Sequence, residues 1–189
     1  MNIVIIGGTR GIGFELVKIF LADKENKVVA TGRKIDSLLK LNHGNLQAIN
    51  NDLTRFDVTE KIVTDTVKEF MQSVDILINN AGSIIVKDFD DFTADEARML
   101  FETNFIGPAS VIRALKPLMN QGSHIVNISS MGGYMGSSKY KGLSYYSASK
   151  AALACLSECL AKEYSSDGIH VNCLALGAVQ TEMLEEAFP

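Results

Sequence analysis

The chain has 189 residues, with 18 Lys and Arg against 22 Asp and Glu, a formal charge of -4 with neutral histidines. Hydrophobic residues make up 47% and charged residues 21%, which excludes a disordered chain and supplies a core for a single domain, expected over 1–189. Mild acidity without clustered Lys and Arg argues against a nucleic-acid partner, and no apolar run approaches the roughly 18 residues of a membrane span.

In chain order, short β-branched runs alternate with longer amphipathic stretches. The chain opens Met1-Asn2-Ile3-Val4, without the basic start or cleavage site of a signal peptide, so a cytoplasmic location is expected. Strands are expected at Asn2 to Ile6, Lys27 to Thr31, Leu46 to Asn50, Val74 to Ile78, Ser123 to Ile128 and Ile169 to Leu174. Between them, Gly11 to Ala22, Phe56 to Gln72, Thr93 to Met119 and Tyr145 to Ser165 carry apolar residues at helical spacing, the third opening with a Thr93/Glu96 capping box. Near-continuous apolar runs such as Ile3-Val4-Ile5-Ile6 mark strands covered on both faces. The alternation predicts an α/β fold, a three-layer doubly wound parallel sheet with ligands at the strands' carboxyl ends.

Three cysteines, Cys155, Cys159 and Cys173, form no C-x-x-C pair and suit a reducing compartment. Cys155 and Cys159 lie four apart in an apolar helical pattern and read as core packing. His43, His124 and His170 lack ligand spacing, so no metal is expected.

Chemistry concentrates at four places. Gly7-Gly8-Thr9-Arg10-Gly11-Ile12-Gly13 follows the first strand, a spacing that lets backbone approach a pyrophosphate and aims free N–H groups and the helix's positive end at it. The second strand ends Ala30-Thr31-Gly32-Arg33-Lys34: where an NAD site offers a carboxylate to the ribose, this chain has Gly32 and then Arg33, whose fork fits a 2'-phosphate that Arg10 also reaches. The cofactor expected is NADP(H). Tyr146 and Lys150 are one helical turn apart, and a nearby ammonium is expected to lower the phenol's pKa toward that of a working acid/base. Ser130 ends a strand at the same sheet edge, placed to donate to a substrate carbonyl.

Together these residues resemble the short-chain dehydrogenase/reductase family along nearly the whole chain: Gly7 to Gly13 its GxxxGxG turn, Asp52-Leu53 its adenine contact, Asn79-Asn80-Ala81-Gly82 its NNAG signature, and Asn104, Ser130, Tyr146 and Lys150 its catalytic positions. Val171-Asn172 through Gly177-Ala178-Val179-Gln180-Thr181 resembles the segment that closes over the nicotinamide. The resemblance implies a Rossmann fold of strand order 3-2-1-4-5-6 and hydride transfer between NADP(H) and a carbonyl or secondary alcohol. It implies Tyr146 as general acid/base, Ser130 polarising the carbonyl, Lys150 binding the nicotinamide ribose, and Asn104 holding a water in a relay behind Lys150. Gly7, Thr9, Arg10, Gly11, Ile12, Gly13, Arg33, Asp52, Leu53, Asn80, Ala81, Gly82, Tyr146, Lys150, Val179 and Thr181 would hold the cofactor. It also implies a homodimer through the helices 93–119 and 145–165.

Departures are Ile6 before Gly7, Leu176 in place of the family's proline, and a longer interval from Ser130 to Tyr146 that contains Tyr134 and Tyr140 and suggests a remodelled substrate entrance. Tyr145 neighbours Tyr146, but only Tyr146 has a lysine four residues on. The alternative of a different class is a non-catalytic NADP-binding regulatory protein. A nucleotide-sugar epimerase or dehydratase is disfavoured by Arg10 at the middle glycine of a GxxGxxG turn. Relatives usually continue through a substrate-covering helix and a seventh strand. A chain ending at Pro189 is therefore expected to be a shortened form, its sixth strand left as an open edge.

Overall fold

The computed structural model describes residues 1–188. Six strands, β1 (Asn2–Ile6), β2 (Lys27–Gly32), β3 (Leu46–Asn50), β4 (Val74–Asn79), β5 (Met119–Ser130) and β6 (His170–Leu176), form one parallel sheet in the order β3-β2-β1-β4-β5-β6. The helices are α1 (Gly11–Leu21), α2 (Asp36–Leu39), α3 (Phe56–Phe70), α4 (Ala94–Phe101), α5 (Gly107–Leu115), α6 (Ser144–Glu163) and α7 (Glu182–Ala187). This is the doubly wound α/β sheet, a Rossmann-type fold, that the alternation of runs predicts.

The two faces of β1 explain its unbroken apolar run. Val4 and Ile6 pack with Val63 and Val67 of α3, Val111, Ile112 and Leu115 of α5, and Leu160 of α6. Ile3 and Ile5 pack on the other side with Val17 and Leu21 of α1. A strand buried on both faces has no position where water would select a polar residue.

Residues 93–119 do not form the single helix expected. The capping box is present: Thr93 Oγ1 accepts from the Glu96 N–H at 3.2 Å, and the Glu96 carboxylate accepts from the Thr93 N–H at 2.8 Å. After α4 the backbone widens into a π turn over Glu102–Ile106, resumes as α5, and tightens to a 3-10 turn at Lys116–Leu118. Proline explains both breaks. Pro108 brings no N–H to the Asn104 carbonyl, and Pro117 brings none to the Arg113 carbonyl. Met119, expected to end a helix, already pairs with Val74 in β5, and a bulge around Gly122 (φ +90°) separates that pair from the next, Ile76 with His124.

Cys155 and Cys159 are exposed, not core. The buried stripe of α6 is Ser149, Lys150, Leu153, Ser157 and Leu160. Serine fits there because its hydroxyl is satisfied within the helix: Ser157 Oγ donates to the Leu153 carbonyl and Ser149 Oγ to the Tyr146 carbonyl, both at 2.7 Å. The cysteines are left on the opposite face. Among the described residues no helix is long and apolar enough to cross a membrane, and no three metal-ligating side chains converge.

Gly13 is buried in the first turn of α1, beneath the Gly7 carbonyl, which accepts from Asn80 Nδ2 at 2.7 Å. A methyl on Gly13 would overlap both groups. Gly13→Ala is expected to lower the unfolding free energy by about 1–3 kcal/mol in urea denaturation; an unchanged midpoint would show that the turn yields freely.

Candidate active site

The sheet order reverses between β1 and β4, so the connections leaving their carboxyl ends run in opposite directions and open a crevice. A cleft of about 940 Å³ occupies it. Every site residue expected from the sequence lines this cleft except Gly13, which lies beneath the turn, and Asn104, which is fully buried behind it.

One end is built for a nucleotide. Gly7 has φ +85°, and a Cβ there would sit 2.6 Å from the Ala81 backbone, so β1 and β4 can meet this closely only at glycine. No side chain caps the first turn of α1, where Arg10 is the N-cap residue, and its leading N–H groups stand at the wall formed by Thr9, Arg10, Gly11 and Ile12. At the end of β2, a Cβ on Gly32 would overlap the Thr9 side chain, so glycine stands where an NAD-type site carries a carboxylate. Arg33 is exposed beside it and makes no ion pair among the described residues. Asp52 closes a local turn by accepting from the Thr54 N–H and hydroxyl, and Leu53 is buried against Gly107. A glycine cradle and an uncapped helix terminus fit a dinucleotide, with an exposed guanidinium at its adenosine end.

The other end carries the acid/base candidates. Ser130 ends β5, Tyr146 and Lys150 lie one turn apart on α6, and all three border the cleft. Burial pushes the Tyr146 phenol above its usual pKa, while the neighbouring Ser130 hydroxyl acts the other way. The expected lowering by Lys150 is therefore not what the structure shows. The Lys150 ammonium donates to the Ile128 carbonyl at 2.8 Å instead of facing the phenol, and burial brings its own pKa down to about 8. Lys150 is held from behind as well, because Ser129 Oγ donates to its carbonyl at 2.8 Å.

Asn104 sits in the π turn, where it accepts from the Ser83 N–H at 2.8 Å and donates to the Ser83 carbonyl at 2.9 Å and Ser149 Oγ at 3.0 Å. A Cβ on Gly82 would lie 3.2 Å from Lys150 Nζ and 3.3 Å from Asn104 Oδ1, so the three residues converge on one point. Single-turn π segments recur at functional sites because they turn one side chain out of helical register. Tyr145 is removed from the chemistry, since its ring stacks on Phe89 at 5.5 Å and meets Phe92 at 4.9 Å.

Several contributors were not read from the sequence. Ser83 and Ser129 fasten Asn104 and Lys150, and only Ser129's place beside Ser130 hinted at either. Lys139 Nζ donates to the Gly132 and Tyr134 carbonyls and to Ser137 Oγ at 2.7–3.0 Å, clamping the long loop after Ser130 so that Tyr140 borders the cleft while Tyr134 does not. Arg10, expected on the 2'-phosphate, is paired with Glu186 of α7 at 2.6 Å. Leu176 ends β6 opposite Ser130, so the position that carries proline in the family pattern here extends the strand.

The family model described as short chain dehydrogenase matches residues 1–189. An uncharacterized oxidoreductase of Schizosaccharomyces pombe is 33% identical over 185 residues, which cover 96% of this chain and 61% of that relative's length. A short-chain dehydrogenase structure from Streptomyces avermitilis superposes with a TM-score of 0.87 at 35% identity, covering 97% of this chain and 67% of the other. A Burkholderia cenocepacia short chain dehydrogenase in complex with NADP (TM-score 0.86, 28% identity, 96% and 75% covered) and a 4-hydroxyisoleucine dehydrogenase complexed with NADH (0.84, 27%, 98% and 78%) are similar too.

Burial of Lys150 has a measurable consequence. A lysine whose pKa falls from 10.5 to about 8 on folding opposes folding while charged, so its penalty is relieved as pH rises from about 8 toward 10.5. Between about pH 7 and 10 the unfolding free energy is expected to rise by about 2–3 kcal/mol relative to that of Lys150→Met. Parallel pH profiles for the two proteins would contradict the burial.

Proposed function

Because the chain belongs to the short-chain dehydrogenase family, we propose that it transfers a hydride between NADP(H) and a carbonyl compound or its secondary alcohol, with Tyr146 as the general acid/base. The observation that carries this reading is the meeting of Ser130 and Tyr146 at the cleft, with Lys150 buried beneath them.

NADPH, when bound, supplies the hydride; the chain supplies position and proton. The backbone of Gly7, Thr9, Gly11, Ile12 and Gly13 and the start of α1 hold the pyrophosphate, Arg33 and, once freed from Glu186, Arg10 the 2'-phosphate, and Asp52 and Leu53 the adenine. Asn80, Ala81 and Gly82 form the floor, Lys150 binds the nicotinamide ribose, and Val179 and Thr181 cover the nicotinamide. Ser130 donates to the substrate oxygen and polarises it. Tyr146 keeps its proton at neutral pH because burial holds its pKa up, so it stands ready to deliver that proton as the oxygen gains charge. In the reverse direction the same group must first lose its proton, which favours oxidation at alkaline pH. Lys150, with a pKa of about 8, exchanges protons at ordinary pH, and Asn104, whose side chain is committed to Ser83 and Ser149, braces the segment behind it through which a relay to solvent would run.

NADP(H) is proposed over NAD(H) because Gly32 stands where an NAD-type site carries a carboxylate and Arg33 is exposed beside it. A single domain over 1–189, a cytoplasmic location and a homodimer through the helices within 93–119 and 145–165 complete the reading.

Tyr146→Phe is expected to lower kcat by about a hundred- to ten-thousandfold while leaving the NADPH Kd nearly unchanged; full turnover would remove Tyr146 from the mechanism. Arg33→Asp is expected to shift the ratio of kcat/KM for NADPH over NADH by at least about tenfold toward NADH, and an unchanged ratio would overturn the assignment of Arg33.

A further inference from the structure

We propose that the substrate is an uncharged carbonyl compound with an apolar aryl or alkyl substituent, an inference that rests on the hydride-transfer reading and sharpens it. Ile84, Met99, Met131, Tyr140, Leu143 and Met183 line the same cleft as Ser130 and Tyr146. Their positions tie them to the catalytic groups. Ile84 follows Ser83, which Asn104 holds; Met131 follows Ser130; and Leu143 is the N-cap residue of the helix that carries Tyr146. Met99 lies against the same loop, with its sulfur accepting from Ser83 Oγ at 3.5 Å.

The charged residues of the cleft wall all have other places. Arg33 and Asp52 stand at the adenosine end. Arg10 is held by Glu186, and Glu182 approaches Gly11 in the phosphate turn, where Glu185 also borders the groove along α1. Lys150 donates to the Ile128 carbonyl. Nearby, Lys87 pairs with Glu96 and Lys141 with Asp88, and none of the four lines the cleft. A carboxylate or phosphate on the substrate would thus lose water at the catalytic end and gain no partner among the described residues, a cost that apolar contact does not recover. A sugar would strand most of its hydroxyls, since of the wall hydroxyls beyond the catalytic groups Ser83 and Thr103 already donate to the Met99 sulfur and Ser129 to the Lys150 carbonyl, which leaves Tyr140 free among the described residues. Three unbranched, polarisable methionines adapt to more than one apolar shape, so several ketones of similar bulk should be accepted.

The test compares acetophenone with 4-acetylbenzoate, which share the ring and the reacting carbonyl and differ by one carboxylate. NADPH oxidation is expected to show a kcat/KM at least about a hundredfold higher for acetophenone. Met131→Arg, a change at a half-exposed position that should fold, is expected to narrow that ratio by at least about tenfold. Equal rates, or a preference for the acid, would overturn the apolar assignment and leave the hydride reading standing. If neither ketone oxidises NADPH, the hydride reading fails for this class, and saturation-transfer NMR with NADP present decides the pocket. Transfer to acetophenone alone supports the apolar assignment; transfer to both ketones or to neither overturns it.

Discussion

Lys150 brings a positive charge into a place where only 4% of its surface meets water, and the half of the molecule that holds the candidate acid/base groups is arranged around that fact. Its ammonium donates to the Ile128 carbonyl of β5, its carbonyl accepts from Ser129, and its Nζ stands over Gly82 in the segment after β4, where a Cβ would meet both it and Asn104. One side chain thus ties α6 to β5 beside the segment that Asn104 holds. A buried ammonium with a single carbonyl partner is poorly compensated, and the fall of its pKa to about 8 expresses that. Such strain is tolerated where a group must exchange protons near neutrality.

The neighbouring polar groups form a track through an otherwise apolar layer. Asn79 donates to Asn127 at 2.8 Å, Asn127 to Ser157 at 2.8 Å, and Ser157 to the Leu153 carbonyl, which links β4, β5 and α6 just below the catalytic end. These bonds fix the distance between the sheet and the helix more tightly than apolar packing would, because each is lost if α6 slides. Ser149, about two turns above Ser157 on α6, carries the same restraint to Asn104. The π turn belongs to this frame, since it lets Asn104 bond both backbone groups of Ser83 from within a helical segment.

What could be read from the sequence was local. The glycine turn from Gly7 to Gly13, Arg33 after Gly32, and the Tyr146/Lys150 pair lie at fixed spacings within a turn or a helix, and the cleft gathers them as expected. Unbroken apolar runs disclosed the central strands because both sheet faces are covered. What escaped depends on contacts between distant segments. The π turn does not interrupt spacings of three and four, so 93–119 read as one helix. Cys155 and Cys159 read as core because serines lining a helix interior carry no apolar signal. The direction of the Lys150 ammonium depends on the Ile128 carbonyl 22 residues earlier, and the pairing of Arg10 with Glu186 spans 176 residues.

The cleft that results is divided by charge. Its nucleotide end combines glycine backbone, a helix terminus and Arg33, while its catalytic end is apolar around a phenol, a hydroxyl and one hidden ammonium. That division depends on Lys150 being buried, and the titration of its ε-carbon, followed by NMR in protein labelled at lysine Cε and assigned with Lys150→Met, tests it most directly. The account predicts a midpoint near 8 for this one lysine. A midpoint at the ordinary 10.5 would mean that the ammonium is solvated and that the catalytic end is not built around it.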